Sequence, residues 1–288
     1  MSAAGSFALA AASALALNWA YFTQHQQTSR LPPLSLKRPR RSLALLFSNR
    51  RWLAGFLIGI GGWVLYVAAL GLGTLSLVQA ASAGGIGLLA LLVWRLGGVA
   101  LSRREWAGVG LAVSGLVLLA VSLAGNRTTH PFGGHGSPAG VAAWMVASGV
   151  VAAAFAGPLA RMLTGGAGLG IAAGACYAAG DVGTKAAVAG GARLLFAAPV
   201  LAAHGLGFVS LQLGFQRGGA LATAGVATLF TNAVPIAAGM VLFGDGLPAG
   251  ALGTVRLLSF AAVVAGAVLL TRSPSPTNVA AAAPVSAR

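Results

Sequence analysis

The amino-acid sequence predicts an all-α fold, a polytopic membrane helix bundle of about nine transmembrane helices. Hydrophobic residues make up 57% of the 288 positions, a further 43 positions are glycine, and 7% are charged, against about 25% charged residues in soluble domains. Apolar runs of about 20 residues, the length that crosses a hydrocarbon core, recur along the chain. A water-soluble globule of this composition would lack the polar side chains needed to cover its surface.

The apolar runs follow one another in nine segments, and we expect each to be a helix. The first has no Lys or Arg before it and a basic segment after it, the reverse of a secretory signal, so it should remain as a transmembrane helix. The second to fourth are rich in Leu and Val. The fifth and sixth are rich in Ala and Gly, and Ala favours membrane insertion less than Leu or Ile. The nine predicted helices cover residues 2–22, 52–72, 75–94, 106–124, 140–157, 168–188, 194–214, 220–243 and 253–271.

The distribution of charge predicts an orientation in the cell membrane. The chain carries 18 Lys and Arg against 3 Asp and Glu, a balance that in a soluble protein would suggest nucleic acid. Here the basic residues gather in connectors, as the positive-inside rule describes, so no nucleic-acid partner is expected. With the connector 23–51 in the cytoplasm, fourteen basic residues lie inside and four outside. We therefore expect the N-terminus outside and the C-terminus in the cytoplasm.

Two halves of the sequence resemble each other weakly. Residues 61–85 match 204–230 at an offset of 145 positions, and 114–122 match 265–273 at an offset of 151. A displacement by five helices inverts the second copy across the membrane, and inverted repeats are frequent in secondary transporters. The predicted organisation is an inverted 4+1+4 repeat: a first repeat with a basic cytoplasmic loop (1–124, loop 23–51), an outer loop and connecting helix (125–167), a second repeat (168–272) and a disordered tail (273–288).

Short motifs lie at the corresponding ends of the two halves. The first half contains Gly62-Trp63, Ala68-Ala69-Leu70-Gly71, Ser76-Leu77-Val78-Gln79, Leu101-Ser102-Arg103-Arg104-Glu105-Trp106 and Gly115. The second contains Asn232, Pro235-Ile236, Gly239, Leu242-Phe243-Gly244-Asp245-Gly246-Leu247-Pro248 and Gly266-Ala267-Val268-Leu269-Leu270. Over about residues 52–124 and 204–271 these motifs resemble the drug/metabolite transporter superfamily, in its EamA-like or magnesium-transporter-like branch. The resemblance implies transport without ATP hydrolysis and without a cofactor. Val99 occupies the position that matches Asp245, so a symmetric ion site is not expected.

Two ionisable residues lie well inside a predicted span. Asp181 and Lys185 are four positions apart, on one face of a helix, where they could pair. Ionisable groups are unfavourable in the hydrocarbon and persist mainly with a partner or a function. One interpretation is a self-neutralising pair that lets the helix insert; the other is a pair on the wall of a substrate cavity.

Helix-weakening residues at matching places in both halves predict the position of a transport site. Pro235 follows Asn232 in the eighth span, and Gly84, Gly85 and Gly87 occupy the equivalent stretch of the third. The alternative is close helix packing with a harmless kink. In the first interpretation the pocket is lined by polar and aromatic side chains that bind substrate: Asn232, Gln79, Thr228, Asp181 and Lys185, with Trp63 and Tyr66 as apolar walls. Trp63 and Tyr66 could equally be core or membrane-interface anchors.

Taken together, these patterns predict a secondary transporter of a small metabolite or drug. A magnesium transporter is the first alternative, although Mg²⁺ prefers several oxygen ligands, usually carboxylates, and the chain has three acidic residues in all. A non-transporting scaffold that kept the fold is the second. No hydrolase, zinc or phosphate-loop motif is present, so an enzyme is not expected. Small-residue spacings at Gly55 and Gly59 and at Gly166, Gly170 and Gly174 indicate close internal packing, with a homodimer contact as the other option.

Overall fold

The computed structural model describes residues 3–82, 85–124, 136–163, 166–244 and 250–271. Within these ranges the chain is all-helical, without β-strand. Eleven α-helices follow one another in the described residues: α1 (Ala3–Thr28), α2 (Pro39–Phe47), α3 (Arg50–Leu72), α4 (Leu75–Ser82), α5 (Gly85–Arg95), α6 (Arg103–Ala124), α7 (Pro138–Ala156), α8 (Ala167–Ala187), α9 (Ala197–Arg217), α10 (Val226–Leu242) and α11 (Ala251–Thr271). Two 3₁₀-helices precede α8 and α9, at Pro158–Met162 and Gly191–Phe196.

Six stretches of helix are long and apolar enough to cross a membrane, which indicates a multi-pass membrane protein. They are Ala4–Thr28, Arg50–Leu72, Pro138–Ala156, Gly191–Arg217, Leu221–Leu242 and Ala251–Leu270. Their outward faces carry exposed apolar side chains such as Leu57, Val146, Val241 and Leu257. The other predicted spans coincide with helices α4 with α5, α6 and α8. That all nine segments cross the membrane stays a prediction.

Local sequence signals account for several helix ends. Asn49 caps α3, because its side-chain oxygen accepts hydrogen bonds from the backbone N–H groups of Arg51 and Trp52. Ser137 caps α7 in the same way, and Pro138 at the first helical position has no N–H to satisfy. The short helix α2 lies within the segment that was predicted only as a basic loop. It buries Leu46 and exposes Leu43 and Phe47, so it has the amphipathic character of a helix at a membrane surface.

Small residues allow the helices to pack closely, as the glycine spacings predict. Gly55 and Gly59 of α3 face Thr23 and Ala20 of α1. In α8, Gly170 faces the backbone of Ala222 and Thr223, just before α10, and Gly174 faces Ala227 at the start of α10. Such contacts replace the hydrophobic driving force that helices lack in lipid. The main helix pairs are α1 with α3, α6 with α11, α7 with α8, α8 with α9, and α8 with α10.

The interruptions predicted at Gly84, Gly85, Gly87 and Pro235 have different outcomes. Gly84 lies outside the described residues, Gly85 is the first residue of α5, and Gly87 lies inside that helix. Helix α10 continues through Pro235, so no helix end lies at this position, and a hinge there stays a prediction. Proline removes a single backbone hydrogen bond, and packed helices of a membrane bundle tolerate that loss. The irregular turn in this half is a π-helical turn at Leu221–Gly225.

Arg256 is a third charged residue inside the bundle, although the sequence places it near a helix end. Its side chain is fully buried in α11. The Nε atom donates to the Ser122 hydroxyl at 3.1 Å and Nη2 donates to the Ser122 carbonyl at 3.1 Å. Arg256 therefore ties α11 to the C-terminal part of α6.

Candidate functional site

A cavity of about 400 Å³ lies between helices of the two halves of the chain. Helices α1, α3 and α4 contribute one side of its wall and α8, α9 and α10 the other, while α2 lies at one end. Six of the seven residues predicted to contact substrate line this cavity: Trp63, Tyr66, Gln79, Asp181, Thr228 and Asn232. Residues far apart in sequence thus meet around one space.

Asp181 is the carboxylate of this cavity wall, and neutral donors surround it. Its side chain is 3% exposed. Gln79 donates from Nε2 to Asp181 Oδ2 at 3.1 Å and to the Tyr66 hydroxyl oxygen at 2.6 Å. Gln79 thereby links the Tyr66 hydroxyl to the Asp181 carboxylate. Gln79 and Tyr66 therefore fix the direction in which Asp181 points.

His204 is a residue of the site that the sequence prediction did not include. Trp63 Nε1 donates to His204 Nε2 at 3.1 Å, and the same ring nitrogen lies 3.6 Å from Asp181 Oδ1. His204 Nδ1 lies 3.0 Å from the Val200 carbonyl oxygen, so Nδ1 carries the hydrogen and Nε2 accepts. This arrangement holds the His204 ring beside the Asp181 carboxylate. In the sequence, His204 is a single histidine in an apolar run. A histidine in this setting usually forms a hydrogen bond between helices, so the sequence did not mark it as a site residue.

Lys185 does not line the described cavity. Its Nζ atom donates to the carbonyl oxygens of Leu70 and Gly73 at 3.1 and 2.7 Å, at the C-terminal end of α3. Carbonyls at a helix C-terminus carry partial negative charge and lack partners within the helix, so a lysine is favourable there. The substrate-binding role predicted for Lys185 has no support in this position, and its pairing with Asp181 stays a prediction.

Three buried oxygen acceptors on cavity-lining residues have no hydrogen-bond partner among the described residues: Asn18 Oδ1, Thr228 Oγ1 and Asn232 Oδ1. In both asparagines the amide nitrogen donates to a backbone carbonyl of the same helix, which leaves the amide oxygen as the unpaired atom. Asn18 Nδ2 donates to the Ala14 carbonyl at 2.8 Å, and Asn232 Nδ2 donates to the Thr228 carbonyl at 2.7 Å. Buried polar groups usually have a partner, and an unpaired one costs about 1–3 kcal/mol. A bound molecule with N–H or O–H groups would satisfy them.

A polar network lies at the end of the cavity next to the connector that carries α2, where the cavity-lining side chains of Leu43 and Phe47 are exposed. Gln212 Oε1 accepts from the Thr28 hydroxyl at 2.9 Å and from Trp52 Nε1 at 3.1 Å, while its Nε2 donates to Gln24 Oε1 at 2.6 Å. Trp52, Phe47, Phe56 and Phe208 form an aromatic cluster beside this network. These side chains join α1, α3 and α9 at one level of the bundle.

The arrangement can bind a molecule, but it lacks the donor set of a metal centre. Within the described ranges, no group of three or more His, Cys, Asp and Glu side chains could hold a metal ion. No protein-family model, curated protein or solved structure matches the chain. The geometry of the cavity is therefore the basis on which function is argued.

Proposed function

We propose that the protein is a secondary membrane transporter of a small organic solute, of the drug/metabolite transporter type. The main observation in support of this proposal is the cavity within the apolar bundle. Its wall contains Asp181 and three residues with an unpaired oxygen, Asn18, Thr228 and Asn232. Cavities of 300–1,000 Å³ with a few placed polar groups are typical of small-molecule sites. The acceptors favour a solute that carries N–H or O–H donors.

The packing of the helices supports two inverted repeats. In the first half α1 packs against α3 and α4, and in the second half α8 packs against α9 and α10. The pairs α4 with α10 and α6 with α11 join the halves. Helices α3 and α9 run antiparallel, because residues 52, 56 and 63 of α3 contact residues 212, 208 and 204 of α9. Two such halves can rock about a central site and expose it to either side in turn.

A small organic solute agrees with the cavity better than Mg²⁺ does. Mg²⁺ needs near-octahedral oxygen ligands and usually binds through one or two carboxylates together with water or phosphate. The described cavity wall offers the single carboxylate of Asp181, which already accepts from Gln79. Aromatic side chains on the same wall, among them Tyr177 and Phe208, are suited to an organic body.

The test is solute flux into liposomes that contain the purified full chain. A panel of radiolabelled amines, amino acids, nucleosides and drugs is first ranked by the thermal stabilisation of the protein. Flux of the best solutes is then compared between wild type, Asp181→Asn and Asn232→Ala. Ser259→Ala is the matched control, because Ser259 is also buried and also bonds a backbone carbonyl of its own helix, but it lies outside the cavity.

We expect both cavity variants to lose on the order of tenfold or more in flux, as the removal of a buried charged or neutral hydrogen-bonding partner predicts. The control should retain wild-type flux. Unchanged flux in both cavity variants would remove the proposed site, and absence of flux for every solute would favour the scaffold alternative.

A further inference from the structure

The cavity reaches the outer surface of the bundle between α3 and α9. Ile60 and Leu201 line the cavity and are 45% and 64% exposed. Gly205 also lines it, and a Cβ placed on this residue would meet open space. Two contacts between the helices lie next to this opening: the Phe56 and Phe208 rings, with centroids 5.5 Å apart, and Trp63 Nε1 with His204 Nε2 at 3.1 Å. We call the opening bordered by Ile60, Leu201 and Gly205 the side window.

The side window lies near the middle of both helices. Helix α3 is the candidate span Arg50–Leu72, and α9 belongs to the candidate span Gly191–Arg217. At 1.5 Å per residue Ile60 is about 15 Å from the start of α3, half the thickness of a hydrocarbon core of about 30 Å. The medium outside the window is therefore acyl chains and not water.

We propose that the side window is the entrance through which an amphipathic solute dissolved in the bilayer reaches the cavity. This inference rests on the proposed function and names its substrate class: a polar head with N–H donors on an apolar aliphatic or aromatic body. The head would meet Asp181 and the unpaired oxygens of Asn18 and Asn232. The body would lie against the rings of Phe56 and Phe208, which border the passage.

The apolar rim of the side window supports a route from the membrane. At the end next to α2, Leu43 and Phe47 line the cavity and are exposed, and the bonds of Gln212 to Gln24, Thr28 and Trp52 place buried polar groups nearby. At the side window the rim is apolar, and no hydrogen bond has to be broken to enter.

The experiment uses the full chain in phosphatidylcholine nanodiscs and a photoreactive probe. The probe is a long-chain primary alkylamine with a diazirine in the middle of its chain, and a short water-soluble amine with the same diazirine is the comparison. Labelled peptides are mapped by mass spectrometry. Gly205→Leu fills the side window, and Gly61→Leu is the matched control, because Gly61 is exposed near the middle of α3, also has open space around it, and does not line the cavity.

We expect the long-chain probe to label the inner faces of α8 and α10 in wild type and in Gly61→Leu. Gly205→Leu should slow the appearance of this labelling after probe addition by on the order of tenfold, which corresponds to a barrier higher by about 1.4 kcal/mol. Leu201→Trp, which narrows the same opening from another position, should act in the same direction. The short amine should label the interior weakly in all variants.

Two outcomes separate this inference from the proposed function. Interior labelling that neither Gly205→Leu nor Leu201→Trp slows would overturn the side window as an entrance while the cavity remains a binding site. Labelling confined to the rim on α3 and α9, with none on α8 or α10, would overturn the cavity as a site and the proposed function with it. Strong interior labelling by the short amine would overturn the bilayer route.

Discussion

At the scale of single residues, the place of His204 beside Asp181 depends on the missing side chain of Gly180. A Cβ on Gly180 would collide with the His204 ring at Cε1 and Nδ1. The ring also holds the Trp63 N–H and the Val200 carbonyl, so it has no free direction in which to retreat. Gly180 is thus part of the site although it has no functional group.

We predict that Gly180→Ala lowers the free energy of unfolding by about 1–3 kcal/mol, the range for overpacking a filled interior. The double variant Gly180→Ala with His204→Ala should be more stable than the sum of the single effects, because the removed ring makes room for the methyl group. Thermal unfolding of the purified protein measures both. Gly205→Ala, where the added methyl meets open space, is the control, and simple additivity of the two changes would contradict the predicted contact.

Lys185 gives a second prediction at this scale. Lys185→Met keeps most of the side-chain volume but removes the ammonium group that binds the Leu70 and Gly73 carbonyls. We expect the free energy of unfolding to fall by about 1.5–3 kcal/mol, the usual value for a hydrogen bond to a charged group. Thermal unfolding is again the measurement, with Lys37→Met at an exposed position of the connector as the control. Equal stability of the two variants would show that the bonds to α3 contribute little.

Some polar residues of the cavity wall could be predicted from the sequence and others could not, although all of them are single polar residues in apolar helices. Asp181, Gln79 and Asn232 are polar groups in apolar runs; in addition, a motif contains Gln79 and Asn232, and Asp181 is four positions from Lys185. His204 and Asn18 give the same local signal but share no spacing with another group, so the sequence could not distinguish a cavity wall from a helix bridge. Their contacts depend on the distance between α1, α8 and α9, which tertiary packing alone determines.

At the scale of helices, Gln212 joins α9 to α1 and α3 through its three hydrogen bonds. We predict that Gln212→Leu lowers the free energy of unfolding more than Gln24→Leu does. The first change leaves the Thr28 hydroxyl, the Trp52 N–H and the Gln24 carbonyl oxygen unpaired, whereas the second leaves only the Gln212 amide N–H. Each unpaired group costs about 1–3 kcal/mol.

The comparison of these two variants by thermal unfolding has a control on the same helix. Gln26→Leu changes the same residue type at a partly exposed position of α1. It should shift the melting temperature least. If Gln24→Leu lowers the melting temperature more than Gln212→Leu does, the hydrogen-bond network is centred on α1 and not on Gln212.

Helix positions were predictable because apolar runs of the required length leave little choice in lipid. The sixth predicted span, residues 168–188, corresponds to α8 at Ala167–Ala187, and the ninth, 253–271, to α11 at Ala251–Thr271. The amphipathic helix α2 was not predicted, because nine residues between prolines and arginines give too short a pattern. The sequence left open whether Pro235 interrupts its helix or only kinks it, because neighbouring helices and not the proline alone decide whether a helix can continue there.

At the scale of the whole molecule, the inverted repeat requires that equivalent helices be displaced from each other by an odd number of spans. Six stretches of helix meet the length and hydropathy criteria for a span, whereas α4 with α5, α6 and α8 carry the remaining predicted crossings. Helix α8 buries most of its residues within the bundle, so its low hydropathy is compatible with a helix that contacts protein more than lipid. If α8 did not cross, the two halves would not be inverted as predicted.

Cysteine labelling from each side of the membrane tests this topology, and the chain has a favourable background because its single cysteine, Cys176, is buried. Single cysteines are placed at exposed positions on either side of each uncertain crossing and reacted with an impermeant maleimide in sealed vesicles. We expect reaction from outside at the replaced residues Gly71, Ala139 and Leu195, and from the cytoplasmic side at Leu36, Leu96 and Met162. The contrast between 162 and 195 reports on α8, that between 96 and 139 on α6, and that between 71 and 96 on α4 with α5. If both cysteines of such a pair react from the same side, the helix between them does not cross the membrane. The inversion on which alternating access between the halves depends would then be lost.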